Sequence, residues 1–335
     1  GQGLGLLHEM PDQGAMVRTL CPSFQVTGPE ALEPTLNKAF AAMLSGRPGP
    51  VHIEIPTDVM PMPCPAPAAA PMPVTRRLPD PAALDEAAHL LNAARQPVIL
   101  AGGGTRGQAD ALAALAERLD APVIQTTNAR GLMWGNPLSV AASPSIASVR
   151  RLITASDQIL ALGTEIGMTD YDMYGTGGLP DLSAMIRVDT CPEQLVRHPA
   201  RLTLAADAGA VMARLLPLLT QKSAEGANRS ARTMAAARQD LAGLSPRLSR
   251  MLPMVEAIRT AIPGALIVGD STQPVYAGNI CYDHDRPGGW FNAATGFGAL
   301  GFGPGAAVGA ALGAPPGVAC RRPRRRCLAP GSEDP

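Results

Sequence analysis

From residue 97 to residue 219 the chain repeats one pattern, in which short apolar runs and Gly or Pro breaks alternate with stretches of helical spacing. The first run, residues 97 to 101, ends in Gly102-Gly103-Gly104. A helix is expected at 108–119, a strand at 122–126 and a helix at 146–155. Strands then follow at 158–162, 184–188 and 202–205, before a helix at 208–219. Apolar strands alternating with helices predict βαβ units and a parallel sheet. Right-handed crossovers make that a doubly wound, Rossmann-like α/β domain.

Upstream, Leu32, Leu36, Ala39, Phe40 and Met43 are spaced to share one face of a helix at 29–45. Ser45-Gly46-Arg47-Pro48-Gly49-Pro50 stops it, and residues 51–56 alternate as a strand does. Residues 61–81, dense in Pro and Ala, read as a linker. Downstream, residues 221–248 are polar and Ala-rich, expected as helix plus linker. A helix at 251–262 and a strand at 265–268 lead into Gly269-Asp270-Ser271-Thr272-Gln273, and a Gly-rich stretch covers 288–313. No repeat of about 20–50 residues is present.

Lys plus Arg and Asp plus Glu each total 28, so the chain gives no electrostatic case for nucleic acid or an anionic membrane. No apolar run reaches the roughly 18–20 residues needed to cross a bilayer. Six cysteines without a C-x-x-C pair point to a reducing, cytoplasmic location rather than a disulfide framework. No charged-then-apolar leader is read at the start, and the first residue is Gly1 rather than Met, which is not expected of a natural N-terminus.

Gly102, Gly104 and Gly107 satisfy G-x-G-x-x-G between a strand and a helix, where a dinucleotide pyrophosphate docks. The next strand, however, ends in Gln125-Thr126-Thr127, without the acidic residue that holds a ribose. A nucleotide site and a plain tight turn both remain open. The run from Gly296 to Ala310 is rich in glycine, which permits close backbone approach and positive φ. About 25 residues earlier, Asp270-Ser271-Thr272-Gln273 at a strand end offers donors suited to a diphosphate.

Three segments together resemble the acetolactate synthase-like thiamine-diphosphate (ThDP) family. Residues 45–59, from Ser45-Gly46-Arg47-Pro48 to Thr57-Asp58-Val59, resemble the closing strand of that family's pyrimidine-binding domain. Arg95 to Gly104 resembles the opening of its central domain, and Gly298-Ala299-Leu300-Gly301-Phe302-Gly303 its cofactor-domain entry. The resemblance covers about residues 1 to 315. It implies a Rossmann-like central domain flanked by two incomplete ThDP-binding α/β domains. The parts are 1–60 (pyrimidine-binding, C-terminal part), linker 61–81, central 82–220, linker or helix 221–248, and 249–315 (diphosphate-binding, N-terminal part). Leu7 to Gln13 and Gly163-Thr164-Glu165 resemble the decarboxylases of guanidino-2-oxo acids.

The resemblance implies a 2-oxo acid decarboxylase or carboligase that cleaves the bond beside the 2-oxo group through a cofactor ylide. By its motifs Ser271, Thr272 and Gln273 lie against the diphosphate. Gly298 accepts a hydrogen bond from the aminopyrimidine, and Leu300 wedges under the bent cofactor. His8 and Glu9 are candidates to line the substrate cavity, or are surface-loop residues. His52 is expected to be structural, and Glu165, Asp170 and Asp172 to form a solvated acidic turn, the alternative being contacts to a guanidinium or another ligand. The family's catalytic glutamate has no equivalent here, which leaves no catalytic residue to assign. Magnesium is implied by the family, but its Gly-Asp-Gly and Asn ligands are absent, so no metal ligand is named. FAD is carried by acetolactate synthases, and no residue here insists on it. A homodimer or tetramer is implied for a full-length protein, and poor solubility is expected outside the central domain.

Residues 316–335 carry Arg321-Arg322-Pro323-Arg324-Arg325-Arg326 in place of the family's metal segment. They read as an out-of-frame stretch of a GC-rich gene, the rival being a basic tail for an acidic partner. Two other classes stay in view, a FAD- or NAD-binding oxidoreductase domain and a non-catalytic fragment that folds or associates.

Overall fold

The computed structural model describes residues 3–5, 7–66, 76–173 and 177–314. The chain divides into two units, Gly1–Arg77 and Leu78–Pro335. The basic tail at 316–335 lies outside the described residues.

In the first unit, helix α1 (Gln13–Arg18) starts at Asp12, whose carboxylate accepts the Ala15 N–H at 2.7 Å and pairs with Arg18 at 3.2 Å. Strand β1 (Ser23–Gln25), a 3-10 turn (Pro29–Ala31), helix α2 (Leu32–Leu44) and strand β2 (His52–Glu54) follow. β1 and β2 pair in parallel, with Ser23 opposite His52. The helix expected from residue 29 therefore begins three residues later, after a proline-led tight turn. Of the expected apolar face only Ala39 is buried, and Phe40 stays 51% exposed. A two-stranded sheet is too narrow to cover that stripe.

The second unit opens with helix α3 (Pro81–Ala93), capped by Asp80 through the Ala83 N–H at 3.0 Å. Then come strand β3 (Pro97–Ala101), helix α4 (Ala109–Leu119), strands β4 (Val123–Gln125) and β5 (Ser139–Val140), and helix α5 (Ala147–Thr154). Strand β6 (Gln158–Leu162), helix α6 (Met168–Tyr171), strand β7 (Met185–Asp189), helix α7 (Pro192–Leu195), strand β8 (Leu202–Ala205) and helix α8 (Ala208–Leu215) complete the sheet region. The sheet order is β5-β4-β3-β6-β7-β8, all pairs parallel. That is the doubly wound order, reversing between β3 and β6.

Every residue of β3, β6 and β7 is buried, as a sheet covered on both faces requires. Alternate residues serve opposite cores. Ile99, Leu160 and Ile186 pack with α3, α4 and α8. Val98, Leu100 and Ile159 pack with α5, helix α9 (Gly226–Leu244) and helix α10 (Pro246–Ala261). Each such side chain contributes on the order of 2 kcal/mol by burial. The residues expected to join two parts at 221–248 thus include a 19-residue helix that seats Ala237 and Leu241 in this second core. Strand β9 (Ile267–Gly269), helix α11 (Gln273–Cys281), strand β10 (Trp290–Asn292) and helix α12 (Phe302–Gly313) end the described chain. β9 and β10 pair in parallel, and Ile267, Val275 and Trp290 join the same core.

Candidate functional site

β9 delivers Asp270 at its carboxyl end. The Asp270 carboxylate accepts the N–H of Ser271 at 2.8 Å through Oδ1 and that of Gly303 at 3.0 Å through Oδ2. These bonds, that of Gly303 first, hold its carboxyl below the usual aspartate range. α11 starts three residues on, at Gln273. The Thr272 side chain does not cap it, and Pro274 occupies its first turn. The strongest feature here is an uncapped helix start beside hydroxyl side chains, an arrangement suited to an anion.

β10 ends in a 3-10 turn (Ala293–Thr295) that Asn292 caps through the Ala294 N–H at 3.1 Å. The Gly298 N–H closes back on Ala293 O at 3.0 Å. Gly298 and Gly301 then adopt φ of +78° and +81°, where a side chain is strained, and α12 begins. The two loops meet at Ser271 Oγ, which donates a long hydrogen bond of 3.5 Å to Gly298 O. Leu300 is 82% exposed and Phe297 99%. Leu300 is therefore held in the open beside the Ser271 corner, outside any core.

Polar side chains brace this pair of loops from behind. Asn279 on α11 accepts the Trp290 indole N–H and the Asn292 amide, both at 2.9 Å. Arg130, from the sheet region, is 2% exposed and donates to the carbonyls of Gln125 (3.0 Å), Ala141 (2.5 Å), Asn279 (3.0 Å) and Tyr282. Burial lowers its pKa, and Asp283 opposes that.

His8 and Glu9 lie in the first unit. His8 has φ of +66°, and the Glu9 carboxylate accepts the N–H groups of Gly3 (2.7 Å) and Gly5 (2.9 Å). His52 shares a 2.9 Å hydrogen bond with Ser23 across β1 and β2, the structural place expected for it. The acidic turn differs from expectation. Glu165 is exposed and pairs with Arg197 at 3.2 Å, but Asp172 is buried against Arg150, and burial raises the pKa of Asp170 beside Thr127. A neighbouring arginine, invisible in the local pattern, draws Asp172 inward.

The glycines of the G-x-G-x-x-G pattern serve the protein itself. The Gly104 N–H donates to Gly163 O at 3.0 Å, and a Cβ on Gly102 would stand 2.4 Å from that same oxygen. The loops after β3 and β6 therefore fill the crevice where the strand order reverses. Gln125, at the ribose-binding position, is spent on Ser139 at 2.9 Å. Nothing here supports the nucleotide-binding alternative.

The fold is that of a doubly wound α/β protein, and residues 84–215 match the family described as "Thiamine pyrophosphate enzyme, central domain". The chain belongs to the ThDP enzymes of the acetolactate synthase and 2-oxo acid decarboxylase family. It is 36% identical over 321 residues to "Probable 2-ketoarginine decarboxylase AruI" of Pseudomonas aeruginosa, covering 94% of this chain and 57% of that protein. It is 33% identical over 231 residues to sulfoacetaldehyde acetyltransferase of Rhodobacter capsulatus, covering 64% and 38%. It is 26% identical over 331 residues to acetolactate synthase isozyme 1 large subunit of Escherichia coli, covering 93% and 56%. The chain spans about half the length of the curated relatives it matches. A crystal structure titled as a "putative thiamin diphosphate-dependent enzyme" from Mycobacterium smegmatis shares the fold, with a TM-score of 0.65, 22% identity, and coverage of 90% and 58%.

Proposed function

We propose that this chain is part of a ThDP-dependent enzyme that cleaves the carbon–carbon bond next to the 2-oxo group of a guanidino-2-oxo acid. The observation that carries the reading is the meeting of the Asp270–Gln273 strand end with the glycine turn that presents Leu300. The name of the Pseudomonas relative supports the substrate class.

The chain's residues fit the cofactor. Beyond its chain neighbours no atom lies within 4 Å of a Cβ placed on Gly298 or Gly301, so the turn is open on that side. Ser271, Thr272 and Gln273 would hold the diphosphate at the uncapped start of α11. The Gly298 carbonyl would orient the aminopyrimidine, and Leu300 would support the bend between the two rings. When bound, ThDP supplies a nucleophilic carbanion and an electron sink for the bond cleavage. Among the described residues no group of three or more His, Cys, Asp or Glu is placed to hold a metal ion, so the Mg²⁺ of the family is assigned no ligand here. No catalytic carboxylate is assigned to this chain either.

Residues 1–60 and 249–315 are proposed as parts of the pyrimidine- and diphosphate-binding domains around the central one, in a cytoplasmic homodimer or tetramer. No helix among the described residues is long and apolar enough to cross a membrane. Calorimetric titration with ThDP and Mg²⁺ tests the reading. Saturable heat with a rise in melting temperature is expected. Neither signal would leave a chain that only folds or associates.

A further inference from the structure

The first turns of α11 and α12 both start at the Asp270–Ser271 corner. Each leaves N–H groups without intrahelical partners and carries positive partial charge. Thr272 does not cap α11, and Gly301 has no side chain with which to cap α12. Asp270, 33 residues before Gly303, supplies the missing acceptor for α12 from the neighbouring strand end.

We infer that Asp270 is a positioning residue, whose carboxylate caps α12 from outside the helix, fixes the turn from 298 to 303, and leaves the start of α11 as the seat for the diphosphate. This deepens the ThDP reading and rests on it.

Two observations and one electrostatic argument carry the inference. The carboxylate is divided between the two loops, one oxygen on Ser271 N–H and one on Gly303 N–H, so it sets their spacing. A Cβ on Gly303 would stand 3.3 Å from Asp270 Cβ and Oδ2, so the helix start approaches the carboxylate as closely as a glycine allows. A carboxylate at the α12 terminus also matches its partial charge and repels a second anion there. Leu300 lies within the tethered turn, so its open placement depends on the same two bonds.

The test uses the full chain with Asp270→Asn and Asp270→Ala. Amide exchange at Gly303 is followed by NMR, with the Asn292 amide as a control for the fold, and ThDP is titrated with Mg²⁺ by calorimetry. Asparagine keeps one acceptor oxygen and alanine none. Exchange at Gly303 is therefore expected to rise at least tenfold in the alanine variant and less in the asparagine variant, with Asn292 still protected. The ThDP dissociation constant is expected to rise at least fivefold in the same order. Unchanged exchange at Gly303 overturns the capping role, and faster exchange with unaltered ThDP affinity overturns the positioning role. If the parent chain takes up no ThDP, the functional proposal fails, and the exchange series alone decides whether Asp270 holds the turn.

Discussion

The Gly104 amide donates to the Gly163 carbonyl at 3.0 Å, joining the loops after β3 and β6 at the point where a doubly wound sheet usually opens for a ligand. The two backbones approach closely there. Gly102→Ala would bring a methyl group to 2.4 Å from Gly163 O and 2.5 Å from Thr164 Cα. A loss of about 1–3 kcal/mol is expected by urea denaturation. An FAD titration of the parent chain should show no quenching of flavin fluorescence. Tight flavin binding would contradict the closed crevice.

Arg130 is the most heavily bonded buried side chain near the candidate site, donating to four carbonyls across two segments. Arg130→Ala leaves those acceptors without a donor, at about 1–3 kcal/mol for each that water cannot reach. The variant should unfold at markedly lower urea, with α11 losing exchange protection first.

His284 is fully buried, 2.7 Å from the Tyr282 hydroxyl and 2.9 Å from Ala265 O. Burial lowers its pKa, with Asp285 opposing. A histidine depressed in the folded state lets the unfolded chain take up the proton first. Its contribution is therefore complete above about pH 6.5 and is lost as pH falls below that value. The melting temperature should drop from pH 8 to pH 5 more steeply in the parent than in His284→Gln. Parallel curves would remove His284 from the acid response.

Leu300 presents an exposed side chain, so Leu300→Ser should change folding stability by no more than about 0.5 kcal/mol. The ThDP heat should fall all the same. A large stability loss would mean that the leucine serves a core.

The sheet was legible because its strands are short, mainly apolar runs alternating with helical spacing, and 97–101, 158–162 and 202–205 have the bounds read from the sequence. α3 was hidden by the Pro- and Ala-rich composition around it. α11 went unread because it is buried on nearly all sides and shows no polar face. β10 is only three residues long. At the site, glycine spacing and the Ser-Thr-Gln string pointed to the two loops. Asp270 was seen only as part of that string, since accepting the N–H of Gly303 depends on a fold that no local pattern records. Arg130 gave no signal, because its four acceptors come from separate parts of the chain.

α9 packs over the same sheet face that receives Val98, Leu100 and Ile159, and hands that surface on to α10 and α11. Excising residues 82–220 as a minimal module would consequently leave α5 alone to cover that side of the β-sheet. Expression trials that trim the chain at 220 should recover inclusion bodies, whereas a protease offered the intact second unit should find no productive cut between its sheet and the β9–β10 pair.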